Sequence, residues 1–215
     1  MPMDRFDDCC QLYLIIPPDL DQDMKVNLGT AISSGKITCA QLRADTNGKI
    51  NRVFAGTILR LMQFSQVPVL FENDVAAAAD LGADGVHISA DEDKYSEARR
   101  ILGDDVIIGV NCGLSRHAGL TLGEMGADYV AFADSSEHPP CWNGLELKEL
   151  ITWWSETITV PCVAWDISSA DEARLYSQAG ADFVAIGEPI WSHAKGPAKA
   201  TAEFSASLTA QQISV

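Results

Sequence analysis

Most of the side chains that could bind a ligand or react stand directly after short apolar runs, and most of them are acidic. Asn73 and Asp74 follow one such run, and residues 91–93, all acidic, follow the next. Asp and Glu oxygens suit two tasks, since they can hold a hard divalent cation or stabilise the first turn of a helix. Both interpretations stay open for Asp74 and for the acidic turn 91–93, which precedes a predicted helix over 94–102.

A second set of acids suggests a different ligand. Asp45, Asp134 and Asp166 also follow apolar runs, and Trp165 stands beside the last of them. A ring of carboxylates with one tryptophan suits a cationic or amine-bearing ligand better than a phosphate ester. The alternative is an acidic, solvated rim that binds nothing.

The overall charge argues against some partners. The formal net charge is −15, from 30 acidic and 15 basic residues, so no basic patch for nucleic acid or for an anionic membrane is expected. No apolar run approaches the length that crosses a bilayer, and the short apolar run 12–16 lacks the features of a secretion signal. The sequence therefore predicts a cytoplasmic protein without membrane or nucleic-acid partners.

The six cysteines do not form a recognisable metal or disulfide pattern. No two of them have Cys-x-x-Cys spacing, and Cys39, Cys112 and Cys162 fall in predicted strands. A reduced cysteine in a strand acts as a small core residue. Neither zinc nor a structural disulfide is expected.

A repeated triplet indicates the elements that position these residues. Gly-Ala-Asp begins at Gly82, Gly126 and Gly180, each time between a helix-like stretch and a short apolar run. Glycine ends helices in the left-handed conformation, and a run of β-branched and aromatic residues suits a strand buried on both faces. The repetition favours a succession of strand and helix units.

Eight strands are predicted in all, at 11–16, 37–43, 67–72, 84–88, 106–112, 128–133, 160–165 and 182–187. Helices are predicted between them, for example over 51–65 and over 169–179, where Ser169 and Glu172 have the spacing of a capping box. The pattern predicts an α/β fold, a single (βα)₈ barrel over 11–208, with a disordered lead-in over 1–10 and a tail over 209–215. A doubly wound sheet is the alternative, but no Gly-x-Gly-x-x-Gly follows any strand.

Active sites of such barrels lie at the carboxyl ends of the strands. The residues just past the predicted strands therefore form the list of candidates. They are Gln41, Arg43, Asp45, Glu72, Asn73, Asp74, His87, Asp91, Glu92, Asp93, Asn111, Cys112, Asp134, Glu137, His138, Trp165, Asp166, Gly187 and Glu188.

The stretch from Phe71 to His87 carries a family resemblance. It reads Phe-Glu-Asn-Asp, then an alanine-rich helix, then Gly-Ala-Asp-Gly-Val-His. It resembles, nearly residue for residue, the thiamine-phosphate synthase and thiazole tautomerase family of barrels. Gln41-Leu42-Arg43 stands at the family's Gln-x-Arg position, and the similar pattern extends from Tyr13 to Ile190.

The resemblance implies an enzyme that joins an aminopyrimidine methyl diphosphate to a thiazole phosphate, releasing pyrophosphate and giving thiamine phosphate. Breaking the C–O bond leaves positive charge on the pyrimidine methylene and negative charge on pyrophosphate, which cations and Mg²⁺ stabilise. By resemblance, Asp74 and Glu92 hold Mg²⁺. The ligands are a phosphorylated pyrimidine and a thiazole or thiamine-like molecule, and a homo-oligomer is open. The expected substrate contacts are Gln41, Arg43, Asn73, Asn111, Trp165 and Gly187, with Arg43 and Asn73 as catalytic residues.

Three places depart from the family pattern. Asp45 stands where the family has Lys, residues 134–140 replace a Thr-x-Thr-Lys loop, and Trp165 and Asp166 replace Gly-Gly. Like charges about 4 Å apart at an effective dielectric near 20 repel by about 4 kcal/mol, which disfavours phosphate binding. A divergent site is therefore predicted, and a catalytically silent family member that binds a thiamine-related ligand or a partner protein is an alternative.

Three further interpretations depend on histidines and tryptophans. A thiazole tautomerase is a further alternative, but the family's histidine after strand five is replaced by Gly113, and His117 is expected on a helix surface. Two roles are open for His87, donation to the pocket and fixing of the neighbouring backbone, and the second is favoured. Trp153, Trp154 and Trp191 form either an oligomer interface or core between helices and barrel.

Overall fold

Eight parallel strands close into a barrel in chain order, and the last strand pairs with the first. The computed structural model describes residues 9–19, 22–34, 36–134 and 145–209. The predicted (βα)₈ barrel is confirmed, and each strand bound lies within two residues of its predicted place. The strands are β1 Gln11–Ile16, β2 Ile37–Leu42, β3 Val69–Glu72, β4 Gly85–Ser89, β5 Ile107–Asn111, β6 Tyr129–Phe132, β7 Cys162–Ala164 and β8 Phe183–Ile186.

Helices follow the strands and surround the barrel. They are α1 Gln22–Ser34, α2 Arg52–Phe64, α3 Val75–Leu81, α4 Glu92–Leu102, α5 Arg116–Glu124, α6 Leu145–Thr157, α7 Ala170–Gln178, α8 Glu188–Trp191 and α9 Pro197–Thr209. No helix in the described ranges is long and apolar enough to cross a membrane. Residues 1–8 and 210–215, which make up most of the predicted lead-in and tail, lie outside the described residues.

The strands separate two apolar layers. Along β1, Leu12, Leu14 and Ile16 pack against the helices, whereas Tyr13 and Ile15 belong to the barrel interior. This alternation is the period of two that every strand imposes on its side chains. The apolar part of the barrel interior comprises Tyr13, Ile15, Cys39, Leu70, Tyr129, Ala131, Val163, Trp165 and Ala185.

Each Gly-Ala-Asp triplet performs the same structural task. Its glycine has positive φ, between 66° and 99°, where the helix ends. Its aspartate donates its backbone N–H to a carbonyl of the preceding strand, and its carboxylate accepts the N–H of that same residue. The backbone bonds are each 3.0 Å, and the pairs with their carboxylate distances are Asp84 and Val69 (2.8 Å), Asp128 and Ile108 (2.7 Å), and Asp182 and Cys162 (2.8 Å). The triplet therefore ties three even-numbered strands to their neighbours.

The three tryptophans pack inward, as the core interpretation expected. Trp154 is buried and donates its Nε1–H to the Val160 carbonyl at 2.7 Å. Trp191 donates to the Ile15 carbonyl at 2.7 Å, and Trp153 packs partly buried against the helix layer of the core. The core interpretation is thus confirmed for Trp154, and the partly buried Trp153 and Trp191 also pack against the core.

Candidate active site

A chain of hydrogen bonds crosses the barrel interior. The Tyr13 hydroxyl donates to Gln41 Oε1 at 3.3 Å and lies 3.1 Å from the Tyr129 hydroxyl. The Tyr129 hydroxyl in turn lies 2.8 Å from His87 Nδ1. All four side chains are buried, with at most 7% of any residue exposed. Four strands far apart in the chain thus contribute to one buried polar network.

Small residues make room for this network. Gly109 on β5 is the register partner of Tyr129 on β6. A Cβ atom at position 109 would lie 1.9 Å from Tyr129 Cζ, far inside van der Waals contact. The tyrosine ring therefore occupies the space that a side chain at position 109 would take.

Polar atoms remain unsatisfied at both ends of the network. No described residue hydrogen-bonds to Gln41 Nε2, to His87 Nε2 or to the nearby Arg43 Nε, although all three atoms are buried. Leaving such a group unpaired costs about 1–3 kcal/mol, and native proteins leave few of them. A ligand with complementary polar atoms would satisfy this set.

His87 is held neutral in this environment. Burial, with a smaller contribution from the charge of Arg43, lowers its pKa to about 3. Its ring stacks on Trp165, with centroids 4.1 Å apart and planes within 1°. The expectation that His87 fixes neighbouring backbone is wrong for its side chain, because the imidazole faces the barrel interior and contacts two other rings.

Arg43, which follows β2, lies beside an acid that follows β7. Its Nη2 is 3.8 Å from Asp166 Oδ1, with the two side chains 41% and 64% exposed. Such an exposed pair contributes at most about 1 kcal/mol, so it does not hold Arg43 tightly. Asp166 has φ of 62°, a left-handed conformation that glycine adopts more readily than other residues.

Asp45 is directed into its own loop. Its Oδ1 accepts the backbone N–H groups of Asn47 and Lys49, at 2.8 and 2.9 Å, and these bonds lower the pKa of the carboxyl. Asp45 thus accepts backbone hydrogen bonds within its loop, and Asp166 forms an ion pair with Arg43. Most of the loop that was predicted to depart from the family pattern, residues 135–140 with Glu137 and His138, lies outside the described residues.

Asn73 and Asp74 are held firmly at the end of β3. Asn73 has φ of 53° and accepts the Ser89 N–H at 3.1 Å. Asp74 caps α3, because its Oδ1 accepts the Ala77 N–H at 3.1 Å, while its Oδ2 accepts the Ile50 N–H at the same distance. The capping interpretation of Asp74 is confirmed.

Capping leaves Asp74 able to bind a cation as well. Each of its oxygens accepts one N–H and keeps a further lone pair. The described residues contain no group of three or more His, Cys, Asp or Glu side chains arranged for a metal. Mg²⁺ takes one or two carboxylates and completes its shell with water and substrate phosphates. The carboxylate oxygens of Asp74 are donors of the kind that this ion prefers.

The second predicted ligand, Glu92, is the first residue of α4 and is exposed. The helix begins two residues earlier than predicted, because Asp91 caps it by accepting the Lys94 N–H at 2.9 Å. Residues 91–93 line a groove of about 380 Å³ together with His117 on α5. His117 is exposed there, as expected.

The remaining predicted contacts have structural partners of their own. Asn111 accepts the Gly113 N–H at 3.1 Å in a tight turn after β5. Gly187 precedes α8, and a Cβ atom there would lie 3.2 Å from Ile15 Cβ. Trp165 is buried over His87 and packs edge-on against Tyr13, with centroids 5.3 Å apart.

Comparison with known proteins decides the family. The family TMP-TENI, described as thiamine monophosphate synthase, matches residues 12–190. The chain belongs to this family. The match confirms the resemblance carried by residues 71–87.

Relatives and structures of this family agree. A thiamine-phosphate synthase from Rhodospirillum centenum is 40% identical over 91% of this chain and 96% of its own length. One from Erythrobacter litoralis is 35% identical over 85% of this chain and 88% of its own length. A thiamine phosphate pyrophosphorylase from Pyrococcus furiosus, 22% identical, superposes with a TM-score of 0.74 over 92% of this chain and 95% of that one. This structural likeness supports the same barrel fold.

Sequence reasoning overlooked two residues of the network. Tyr13 and Tyr129 were treated only as parts of strands, although both hold hydroxyls in otherwise apolar runs. Counting in twos from Ile15 on β1 and from Ala131 on β6 places both tyrosines on the inward face. That alternation was the available signal.

Proposed function

We propose that this chain is a transferase that makes thiamine phosphate from an aminopyrimidine methyl diphosphate and a thiazole phosphate, releasing pyrophosphate. Two named thiamine-phosphate synthases that align with most of the chain support this proposal. The observation that carries it is the set of unsatisfied buried atoms on Gln41, Arg43 and His87 at the barrel mouth. These atoms combine a site for a small polar ring with a neighbouring cation.

The aminopyrimidine would bind to the two ends of the buried network. The Gln41 amide and the His87 imidazole each have one nitrogen without a partner among the described residues. A pyrimidine ring nitrogen and an exocyclic amino group would satisfy them. The surrounding rings of Tyr13, Tyr129 and Trp165 exclude water from this end of the site.

The diphosphate would bind at the exposed rim beside this pocket. The planar guanidinium of Arg43 matches phosphate oxygens and carries the positive charge that the departing group needs. Its present neighbour Asp166 is a weak and exposed partner, so a diphosphate can replace it. As the C–O bond breaks, its electron pair leaves with pyrophosphate while the methylene carbon joins the thiazole.

Asp74 and Glu92 would hold Mg²⁺. When bound, this ion would neutralise charge on the diphosphate. Asn73 is the second proposed catalytic residue, and its position beside Asp74 supports a contact with the same group. Asn111, Trp165 and Gly187 stay proposed substrate contacts, since each lies at the carboxyl end of a strand.

The test is direct synthesis. Purified protein is incubated with Mg²⁺, the pyrimidine diphosphate and the thiazole phosphate, and thiamine phosphate is quantified by mass spectrometry. We expect turnover that Arg43→Ala lowers at least about 100-fold, the range of a lost transition-state cation. Arg60→Ala, on the exposed side of α2, is the matched control and keeps wild-type activity. Folded wild-type protein that forms no product would refute the proposal.

The second candidate is a silent family member that binds a thiamine-related ligand, and the acid beside Arg43 favours it. In that case the charge of the Asp166 carboxylate would repel a phosphate at Arg43, and calorimetry would detect thiamine binding without turnover. The buried thiols of Cys39 and Cys162 suit a reducing compartment, which supports a cytoplasmic location. A homo-oligomer stays a prediction that sedimentation velocity tests.

A further inference from the structure

The two tyrosines between Gln41 and His87 form a relay with a definite direction. Each hydroxyl has one proton to donate and can accept others. Tyr13 donates its proton to Gln41 Oε1, so its oxygen accepts the proton of Tyr129. Tyr129 has then used its only proton, so its oxygen must accept one from His87 Nδ1 at 2.8 Å.

The direction depends on which acceptor takes the Tyr13 proton. The Tyr129 hydroxyl, 3.1 Å away, and the thiol of Cys39 also lie within hydrogen-bonding range of this hydroxyl. An amide carbonyl oxygen is a stronger acceptor than either a phenol oxygen or a thiol, so Gln41 Oε1 takes the proton. The buried position of the relay excludes water as a competitor.

We propose that Tyr13 and Tyr129 are positioning residues that hold His87 as its Nδ1–H tautomer and thereby set the polarity of the pocket. One end of the relay then offers the N–H donors of Gln41 Nε2. The other end offers the bare lone pair of His87 Nε2, which accepts but cannot donate.

This polarity selects between two kinds of pyrimidine. Resting on the proposed function for the identity of the ligand, an aminopyrimidine presents a ring nitrogen to Gln41 and an amino donor to His87. The corresponding oxo analogue presents an N–H and a carbonyl oxygen, so donor would face donor and acceptor would face acceptor. A site built around specific hydrogen bonds rejects such an analogue strongly, here by at least about 100-fold.

Nitrogen-15 NMR of the histidine side chains in the ligand-free protein tests the tautomer at pH 7. His87→Gln identifies the His87 signals, and we expect a protonated Nδ1 and an unprotonated Nε2. In Tyr13→Phe, Tyr129 loses its acceptor and donates to His87 instead, so the proton moves to Nε2. Tyr176→Phe, on α7 outside the barrel interior, is the control and leaves the His87 signals unchanged. A purely structural role for Tyr13 would not move a proton between nitrogens two residues away in the relay.

A protonated Nε2 in wild-type protein, or an unchanged tautomer in Tyr13→Phe, would overturn the proposal. If Tyr13→Phe does not fold, Tyr129→Phe replaces it, and the loss of the Nδ1–H partner should again produce the Nε2–H form. Calorimetry with the aminopyrimidine alcohol and its oxo analogue then measures selectivity, which we expect to fall below about tenfold in Tyr13→Phe. Unchanged selectivity would overturn the assigned polarity. Failure of both pyrimidines to bind wild-type protein would refute the proposed pyrimidine site, while the NMR result would still decide the relay.

Discussion

Gly109→Ala should disrupt the buried network from the neighbouring strand. The new Cβ would lie 1.9, 2.2 and 2.4 Å from three atoms of the Tyr129 ring. Overpacking of this kind costs about 1–3 kcal/mol. Displacing Tyr129 also strains two buried hydrogen bonds, worth about 1 kcal/mol each. We therefore expect the free energy of unfolding to fall by about 3–5 kcal/mol, with loss of pyrimidine binding.

Urea denaturation followed by circular dichroism measures the stability, and calorimetry measures pyrimidine binding. Gly29→Ala is the matched control, because its added Cβ meets no atom within 4 Å beyond the adjacent residues and the backbone of its own helix, and alanine favours the interior of α1. It should leave stability unchanged or raise it by up to about 1 kcal/mol. Repeating Gly109→Ala in a Tyr129→Ala background isolates the clash. A cost below about 1 kcal/mol in the wild-type background, or an equal cost in both backgrounds, would refute the reasoning.

Three other predictions concern single carboxylates and His87. Asp182→Ala removes the acceptor of a strand N–H and should lower the free energy of unfolding by about 1–3 kcal/mol, whereas Asp80→Ala, at an exposed ion pair, should cost under about 1 kcal/mol; equal losses in urea denaturation would contradict the triplet's role. Asp74→Asn can still cap α3 through its amide oxygen, but its amide nitrogen leaves the buried Ile50 N–H without an acceptor, so the free energy of unfolding should fall by about 1–3 kcal/mol; Mg²⁺-dependent synthesis by the folded variant should weaken at least about tenfold through the lost charge, and full activity across a Mg²⁺ titration would argue against the metal site. The pKa of His87 falls from 6.5 to about 3 on folding, so the unfolded chain takes up its proton first as pH drops, and stability is lost from pH 6.5 downward. Between pH 7 and pH 5 the free energy of unfolding of the wild type should fall by about 2 kcal/mol more than that of His87→Gln. Urea denaturation at both pH values measures this difference, and equal losses in the two proteins would contradict the prediction.

The order and type of the elements could be predicted because local patterns determine them. Short apolar runs, three of them preceded by Gly-Ala-Asp, indicate strands buried on both faces, and a barrel accommodates eight of them with intervening helices. The cap at Ser169 was also predicted, and it accepts the Glu172 N–H at 3.2 Å. The reciprocal bond was displaced by one residue, since Glu172 accepts from the Ser168 N–H rather than from the cap itself. The spacing of the residues therefore predicted the helix cap correctly, but it did not predict which N–H group Glu172 binds.

The candidate residues at the strand ends were predicted for the same reason, because parallel strands bring their carboxyl ends to one side. The hydrogen-bond partners of these residues were not predicted. Asp45 was expected among the acids of the mouth, but its carboxylate turns back to Asn47 and Lys49 in its own loop. Charge sign is visible in a sequence, whereas the direction of a side chain depends on the loop backbone around it.

The sequence by itself determined the barrel, the family and the residues that border its mouth. Only the tertiary structure decided that Tyr13 and Tyr129, 116 residues apart, share a hydrogen bond and connect Gln41 to His87. Closure of the barrel sets the register that brings these inward positions together, and the missing side chain of Gly109 leaves space for the ring of Tyr129. A local sequence pattern shows neither the register between strands nor the space beside Gly109, because both depend on which strands become neighbours in the fold.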